Sequence, residues 1–465
     1  MRAGALGVAM VVCLVSALLA SACSGSSATQ KPVDSAQATA VTRPAPAGRS
    51  AVDSREGWAT AQALPVTPVA VPYVTKDPKF DALDGARALS GTYSGGAYEI
   101  EVPSAWNGDI VYFAHGFRGS VPDLTVTTPP LREYLIQHGY AWAASSYTEN
   151  GYNPGAGARD TYALRDLFAE KVGAPKRSYL YGESMGGNVV TVSLETYPTA
   201  YDGALSECGS LSGQGIVDYF LSWGALGGYF SGTDLTAQTT DAGKFAETLK
   251  SKVVPALGPS AGRLTAQGKE FAGAIENLTG GPRPYFREGF GVNQLFNFVV
   301  LLQAVAVPGA ANAVAQNADT RYVASDGSAI STDQLNSEIP RVKANPQYQD
   351  RTRYPEYGAP AGNIQRPLLT LHGTGDLFVP ISMEQIYRRA VDAAGAGDLL
   401  VQRAVRRAGH CTFTAEERQR AFEDLVGWVR TGQKPAGEDL LGDLTDAGRA
   451  FTSPLGADDP GGIAP

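Results

Sequence analysis

Tyr179-Leu180-Tyr181-Gly182-Glu183-Ser184-Met185-Gly186-Gly187-Asn188-Val189-Val190 reads as a buried strand, a sharp turn and the start of a helix. At its centre lies a G-x-S-x-G pattern. The glycines matter because a turn this tight leaves no room for Cβ atoms two residues either side of the serine. Ser184 is then expected at a strained backbone position, its hydroxyl exposed and a helix N-terminus just behind it. In a chain with 54 Gly the bare pattern arises often by chance. The strand–turn–helix context is what separates a nucleophile from an ordinary turn serine.

A serine hydroxyl is a poor nucleophile until a base takes its proton, and a carboxylate that orients the base makes it effective. The chain has four His. His138, in Leu135-Ile136-Gln137-His138-Gly139-Tyr140, sits at a predicted helix C-terminus, where it complements the dipole in solvent. His372 ends a strand in Leu371-His372-Gly373-Thr374-Gly375-Asp376, and His115 follows another, 109–114; both read as structural. His410, in Arg407-Ala408-Gly409-His410-Cys411-Thr412-Phe413, lies in the loop between the last predicted strand and the last helix, where a base can be presented. Asp376 falls in the loop after the preceding strand. The chain order Ser184, Asp376, His410 suits this architecture. Glu207 and Asp218, one strand earlier, are the alternative carboxylates.

Further short apolar runs at 109–114, 141–144, 178–181, 203–206 and 367–371 alternate with amphipathic helices; in one, Leu164, Leu167, Phe168 and Val172 share a face. The expected fold is α/β: a mostly parallel sheet with helices on both faces. Ahead of it, Tyr98, Ile100 and Val102 alternate, and Ser94-Gly95-Gly96 marks the turn of a hairpin with 86–93. The rhythm breaks over 213–363. Helical patterns cover 242–257, 260–277 and 292–307, and a hairpin signal spans 322–330. This predicts a large, mainly helical cap inserted before the penultimate strand, with the core at 76–212 and 364–432. Residues 295–307 offer either an apolar acyl pocket or the core helix of the cap, and Tyr147, Tyr152 and Tyr285 are candidate wall residues. Thr414-Ala415-Glu416-Glu417 is a capping box, opening a helix whose Phe422, Leu425, Val426 and Val429 face the core. The Gly/Asp/Pro-rich residues 433–465 are expected to form a loosely packed tail.

On His115-Gly116, the G-E-S-M-G elbow, H-G-T-G-D-L-F-V-P at 372–380 and G-H-C at 409–411, the chain resembles the α/β-hydrolases over residues 85–212 and 364–430. The resemblance implies Ser184 as nucleophile, His410 as general base and acid, and Asp376 as the carboxylate that holds the imidazole. It implies an oxyanion hole made by the backbone N–H groups of Met185 and Phe117. Cys208 and Cys411 both fall in loops at the C-terminal edge of the expected sheet, and a bridge between them would pin the His loop. A Cys just after the His resembles tannase-like and feruloyl esterases, which place the partner Cys directly before the Ser, where this chain has Glu183. Two buried thiols are the alternative.

The N-terminus carries an address. Arg2, the apolar stretch 5–20 and Ser21-Ala22-Cys23 make a secretory signal over 1–22. Ala-Ser-Ala before Cys23 resembles the lipobox of bacterial lipoproteins, which implies diacylation of Cys23; a plain signal peptide is the alternative. Residues 23–75, rich in Ser, Ala, Thr, Pro and Gln, read as a flexible tether. Localisation is therefore expected to be exported, at the cell surface through a lipid anchor in the membrane or extracellular.

Composition narrows the partners. With 38 Lys+Arg against 46 Asp+Glu the net charge is −8, and no basic block offsets it, so nucleic acid is not an expected partner. Four Cys without a CxxC pair suggest neither a disulfide-dense scaffold nor a zinc site. None of the candidate residues requires a metal or cofactor. The chain is expected to act as a monomer on a small-molecule or lipid-like ester. A serine nucleophile argues against the dehalogenase and epoxide hydrolase chemistry of this fold. The oxyanion loop Ala114-His115-Gly116-Phe117 lacks the Gly-Gly-Pro-Gly of prolyl-aminopeptidase-like members, so a serine carboxylester hydrolase working through an acyl-enzyme leads over a peptidase. An acyltransferase and a non-catalytic surface-binding protein are the readings from other classes.

Overall fold

Short, doubly apolar strands have to be covered on both faces, and the computed structural model arranges them accordingly. It describes residues 61–62, 72–76, 78–119, 121–236, 241–306, 314–346 and 360–455. The expected signal segment, Cys23, most of the expected tether and residues 456–465 lie outside the described residues. Eight strands form one sheet: β1 Ala86–Tyr93, β2 Gly96–Pro103, β3 Asp109–Ala114, β4 Ala141–Ser145, β5 Arg177–Glu183, β6 Gly203–Glu207, β7 Leu368–Gly373 and β8 Leu400–Val405. Their order is β1-β2-β4-β3-β5-β6-β7-β8. β2 runs antiparallel to both neighbours, and β4 through β8 pair in parallel. The β1–β2 hairpin turns at Ser94-Gly95, both with positive φ (54° and 92°), the geometry that matches strand twist in a two-residue turn.

Alternation along each strand splits the core into two layers. Ile110, Tyr112, Leu180, Ala204 and Leu368 pack with Leu164, Leu167 and Phe168 of α2 (Pro154–Lys171), Val190 and Leu194 of α3 (Met185–Thr196), and Tyr387 and Val391 of α9 (Ser382–Ala393). Val111, Phe113, Tyr179, Tyr181, Leu205 and Leu369 pack the other way, against α1 (Arg132–Gln137) and the last helix, α10 (Ala415–Thr431). Thr414 and Glu417 form the expected capping box on α10.

The inserted segment between β6 and β7 is mainly helical: α4 Gly215–Ser231, α5 Ala242–Thr248, α6 Ala266–Leu278, α7 Phe286–Ala306 and α8 Thr332–Glu338, with a π-turn Leu249–Val253 and a last turn Val254–Leu257 extending α5. Its own core centres on Trp223, fully buried among Phe271, Phe290 and Phe298, and is continuous with Leu377, Val379 and Met383 of the sheet domain. Residues 322–330 do not form the expected hairpin. The backbone groups a ladder would use are taken by side chains of α8: Tyr322 N donates to Asn336 Oδ1 (3.0 Å), Asn336 Nδ2 to Tyr322 O (2.6 Å), and Ala324 N to Thr332 Oγ1 (3.1 Å). Only the turn at Gly327, with φ 71°, matches the expectation.

Residues 433–455 differ from the loosely packed tail expected of them. β8 ends the sheet, so its outer backbone groups need cover. The chain supplies it: Glu438 N donates to Gln402 O (2.8 Å) and Ala404 N to Glu438 Oε2 (2.9 Å), while Leu440, Leu444 and Ala447 pack on Ile381 and Ala404. Among the described residues no helix is long and apolar enough to cross a membrane.

Candidate active site

β5 ends at Glu183 and α3 begins at Met185, so Ser184 alone makes the turn, at φ 60° and ψ −119°. A side chain rarely adopts that conformation, and the surroundings enforce it. A Cβ on Gly182 would lie 2.1 Å from Gly186 O, and one on Gly186 would lie 1.9 Å from Ala114 O. Ser184 N donates to Glu207 O (3.0 Å), anchoring the turn to the end of β6.

The loops after β7 and β8 bring two more side chains to the same sheet edge. His410 Nε2 stands 2.8 Å from Ser184 Oγ, and His410 Nδ1 2.6 Å from Asp376 Oδ2. Asp376 is fully buried and its other oxygen accepts the N–H groups of Phe378 (2.9 Å) and Val379 (3.0 Å). An ionised carboxylate only accepts hydrogen bonds, so Nδ1 carries the proton and Nε2 is left to accept from the serine hydroxyl. The imidazole is 22% exposed, enough for contact with a ligand.

The other candidates lie elsewhere. Glu207 is fully buried and accepts from Tyr181 Oη (2.9 Å) and Arg418 Nε (2.9 Å); Asp218 Oδ1 accepts from Gln316 N (2.8 Å) within the cap. Neither carboxylate is bonded to His410. His372 is enclosed by Glu384 and Val379 O; burial opposes its charge, but Glu384, Asp376 and the Val379 carbonyl together outweigh this and raise its pKa. His138 caps α1 through Tyr134 O. His115 is buried, which lowers its pKa to about 4, so it is neutral and stacks on Tyr147 with ring centres 3.9 Å apart.

The 114–117 loop backs directly onto the elbow. A Cβ on Gly116 would lie 3.1 Å from Ser184 Cβ. Phe117 follows in that loop and Met185 opens α3, so the two expected oxyanion donors belong to segments in contact. An N–H at the first position of a helix has no partner within the helix. Ser184 after β5, Asp376 after β7 and His410 after β8, with the 114–117 loop after β3 backing onto the elbow and one antiparallel strand in second place, settle the architecture. The chain has the α/β-hydrolase fold.

No family model matches the chain. A stretch of 124 residues is 31% identical to o-phthalyl amidase of Xanthobacter agilis, spanning 25% of this chain and only 27% of the amidase. Among solved structures, feruloyl esterase B of Aspergillus oryzae matches over 83% of this chain and 91% of its own, at 14% identity and a TM-score of 0.44. An acylaminoacyl peptidase of Pyrococcus horikoshii matches over 77% of this chain and 44% of its own, at 12% identity and a TM-score of 0.37.

Within this α/β-hydrolase fold the cap grips the loop that carries Asp376. Tyr219 Oη (2.6 Å) and Asn297 Nδ2 (2.8 Å) both donate to Leu377 O, and buried Arg283 donates through Nε to Thr374 O (2.6 Å). A Cβ on Gly289 of α7 would lie 1.7 Å from Gly375 O. Phe378 meets the His410 ring edge-on, centroids 4.9 Å apart, and continues to Phe220 (5.6 Å) and exposed Phe296 (5.4 Å). Of the apolar run 295–307, then, Phe296 reaches the site through Phe378, while Phe298 and Leu302 belong to the cap core. Tyr147 is buried beneath His115 rather than lining a wall, and Tyr152 Oη is bonded to Ser210 Oγ (3.2 Å) and Asn188 Nδ2 (2.9 Å). Tyr285 turns the chain at φ 63° beside Gly375.

Cys208 and Cys411 are joined, with Cα atoms 5.3 Å apart. Their sulfurs and a His410 nitrogen lie within 4.8 Å of one another. The bridge occupies both sulfurs and the imidazole nitrogens face Asp376 and Ser184, so this cluster offers no free ligand set.

Proposed function

We propose that the protein is an exported serine hydrolase that cleaves carboxylic esters through an acyl-enzyme. The observation that carries this reading is the relay of two hydrogen bonds, Asp376 to His410 (2.6 Å) and His410 to Ser184 (2.8 Å), on a strained elbow. Ser184 Oγ attacks the ester carbonyl as His410 Nε2 takes its proton. The oxyanion that forms is held by the N–H groups of Met185 and Phe117, donors of a kind that contribute about 2.7–4 kcal/mol each. On collapse the alcohol leaves with the proton from His410, and the acyl group stays on Ser184. Water then attacks, giving its proton to His410, and the acid departs as Ser184 Oγ recovers a proton. Asp376 stays ionised throughout and stabilises the imidazolium. Phe378, Phe220 and Phe296 offer the apolar part of the substrate a surface beside the base.

Ser184→Ala is expected to lower turnover of a p-nitrophenyl ester by about 10⁴–10⁶-fold and to abolish fluorophosphonate labelling, with the melting temperature preserved. Retained turnover rejects the reading. A second reading, amide hydrolysis, is favoured by the stretch shared with the o-phthalyl amidase. Paired p-nitrophenyl esters and p-nitroanilides of one acid decide between them. Export with a lipid on Cys23 puts the protein in the membrane fraction, and Cys23→Ala moves it to the medium; a soluble wild type contradicts the anchor.

A further inference from the structure

We propose that Arg418 is a positioning residue that fixes His410 against Ser184 by tying the loop of the base to the nucleophile elbow through one guanidinium. The inference rests on the functional reading above. Arg418 lies in the first turns of α10, its side chain 11% exposed. Nε donates to Glu207 Oε2 (2.9 Å), and Nη1 donates to Phe413 O (2.5 Å). Nη2 donates both to Cys411 O (2.9 Å) and to Glu183 Oε1 (3.3 Å).

Glu183 immediately precedes Ser184, and Glu207 accepts the Ser184 N–H through its own carbonyl. Cys411 and Phe413 follow His410 in its loop. One planar group therefore spans the residue before the nucleophile, the strand end that anchors it, and the loop of the base. Residues 207 and 208 hold residue 411 twice, Cys208 through the disulfide and Glu207 through Arg418. The bridge restrains the Cys411 side chain, while Arg418 restrains the backbone carbonyls of 411 and 413. A loop held at its backbone cannot swing the imidazole out of line with Ser184 Oγ. The charged and titratable groups around the guanidinium are Glu207, Glu183 and Tyr181. Lys cannot replace it, because an ammonium lacks the fixed fork that reaches two carboxylates and two carbonyls at once.

The test is Arg418→Lys in the full chain, with Glu183→Gln as a second variant that leaves the Arg418–Glu207 pair in place. Ser184-labelled sites are counted with a fluorophosphonate, and kcat and KM for a p-nitrophenyl ester are expressed per labelled site. Arg418→Lys is expected to lower kcat about 10–100-fold with KM within about threefold, the cost of a misplaced catalytic group. The rate of fluorophosphonate inactivation falls by the same factor, and Glu183→Gln shows a smaller fall in the same direction. A merely structural role lowers the number of labelled sites and the melting temperature but leaves kcat per site at the wild-type value; that result overturns the proposal. If Arg418→Lys does not fold, an unchanged kcat per site in Glu183→Gln overturns it instead. Wild-type enzyme that labels elsewhere than Ser184 overturns the functional reading and this proposal together.

Discussion

At the residue scale, the roles of the buried ionisable groups follow from what surrounds each. Burial, only partly opposed by Arg418 and reinforced by Glu183, pushes Glu207 up to about 7 from an ordinary value near 4.5. Between those two values the folded protein holds a proton that the unfolded chain has released, so this contribution to stability is lost as pH rises across the window. Gln mimics the protonated carboxyl and does not titrate. The melting temperature of Glu207→Gln minus that of wild type is therefore expected to rise from pH 5 to pH 8, and a difference independent of pH contradicts the assignment. His115 has the opposite sign: held neutral with a pKa of about 4, it costs stability as pH falls below its ordinary 6.5. Ser184, Asp376 and His410 were legible in the sequence because each sits in a motif at a strand end. Arg418, Arg283, Tyr219 and Asn297 were not, because their partners are carbonyls and carboxylates brought near only by folding.

At the element scale, periodicity identified the strands and three helical stretches of the insertion, though not α4 or α8, and it failed where side chains replaced backbone pairing. The 322–330 turn was readable from Asp326-Gly327, but Asn336 and Thr332, which take its backbone bonds, carry no local sign of doing so. The packed segment after α10 did have a signal, Leu440, Leu444 and Ala447 at helical spacing, masked by the Gly and Asp around it. Its covering of the β8 edge is testable. Deleting residues from 433 onward uncovers Gln402 O and Ala404 N and removes two buried leucines, about 1.5–3 kcal/mol each. The melting temperature is expected to drop by about 5–10 °C, with edge-to-edge association in sedimentation. An unchanged, monodisperse protein contradicts this.

At the scale of the whole molecule, sheet and cap meet at the site. The sheet edge presents Ser184, Asp376 and His410 from three separate loops, and the cap holds the Asp376 loop through Tyr219, Asn297 and Arg283. The Cys208–Cys411 bridge joins residues 203 apart in sequence and encloses the entire cap, so the insertion hangs between two fixed points of the candidate site. Because the cap holds the loop of Asp376, it is built into the relay that runs from Asp376 through His410 to Ser184. The most direct test of that relay is to quench wild-type and His410→Ala enzyme with acid during turnover of a p-nitrophenyl ester and locate the acyl group by peptide mass spectrometry. The account predicts one acyl group on the peptide carrying Ser184 in wild type and none in the variant. Turnover with no adduct on that peptide, or equal acylation without His410, contradicts it.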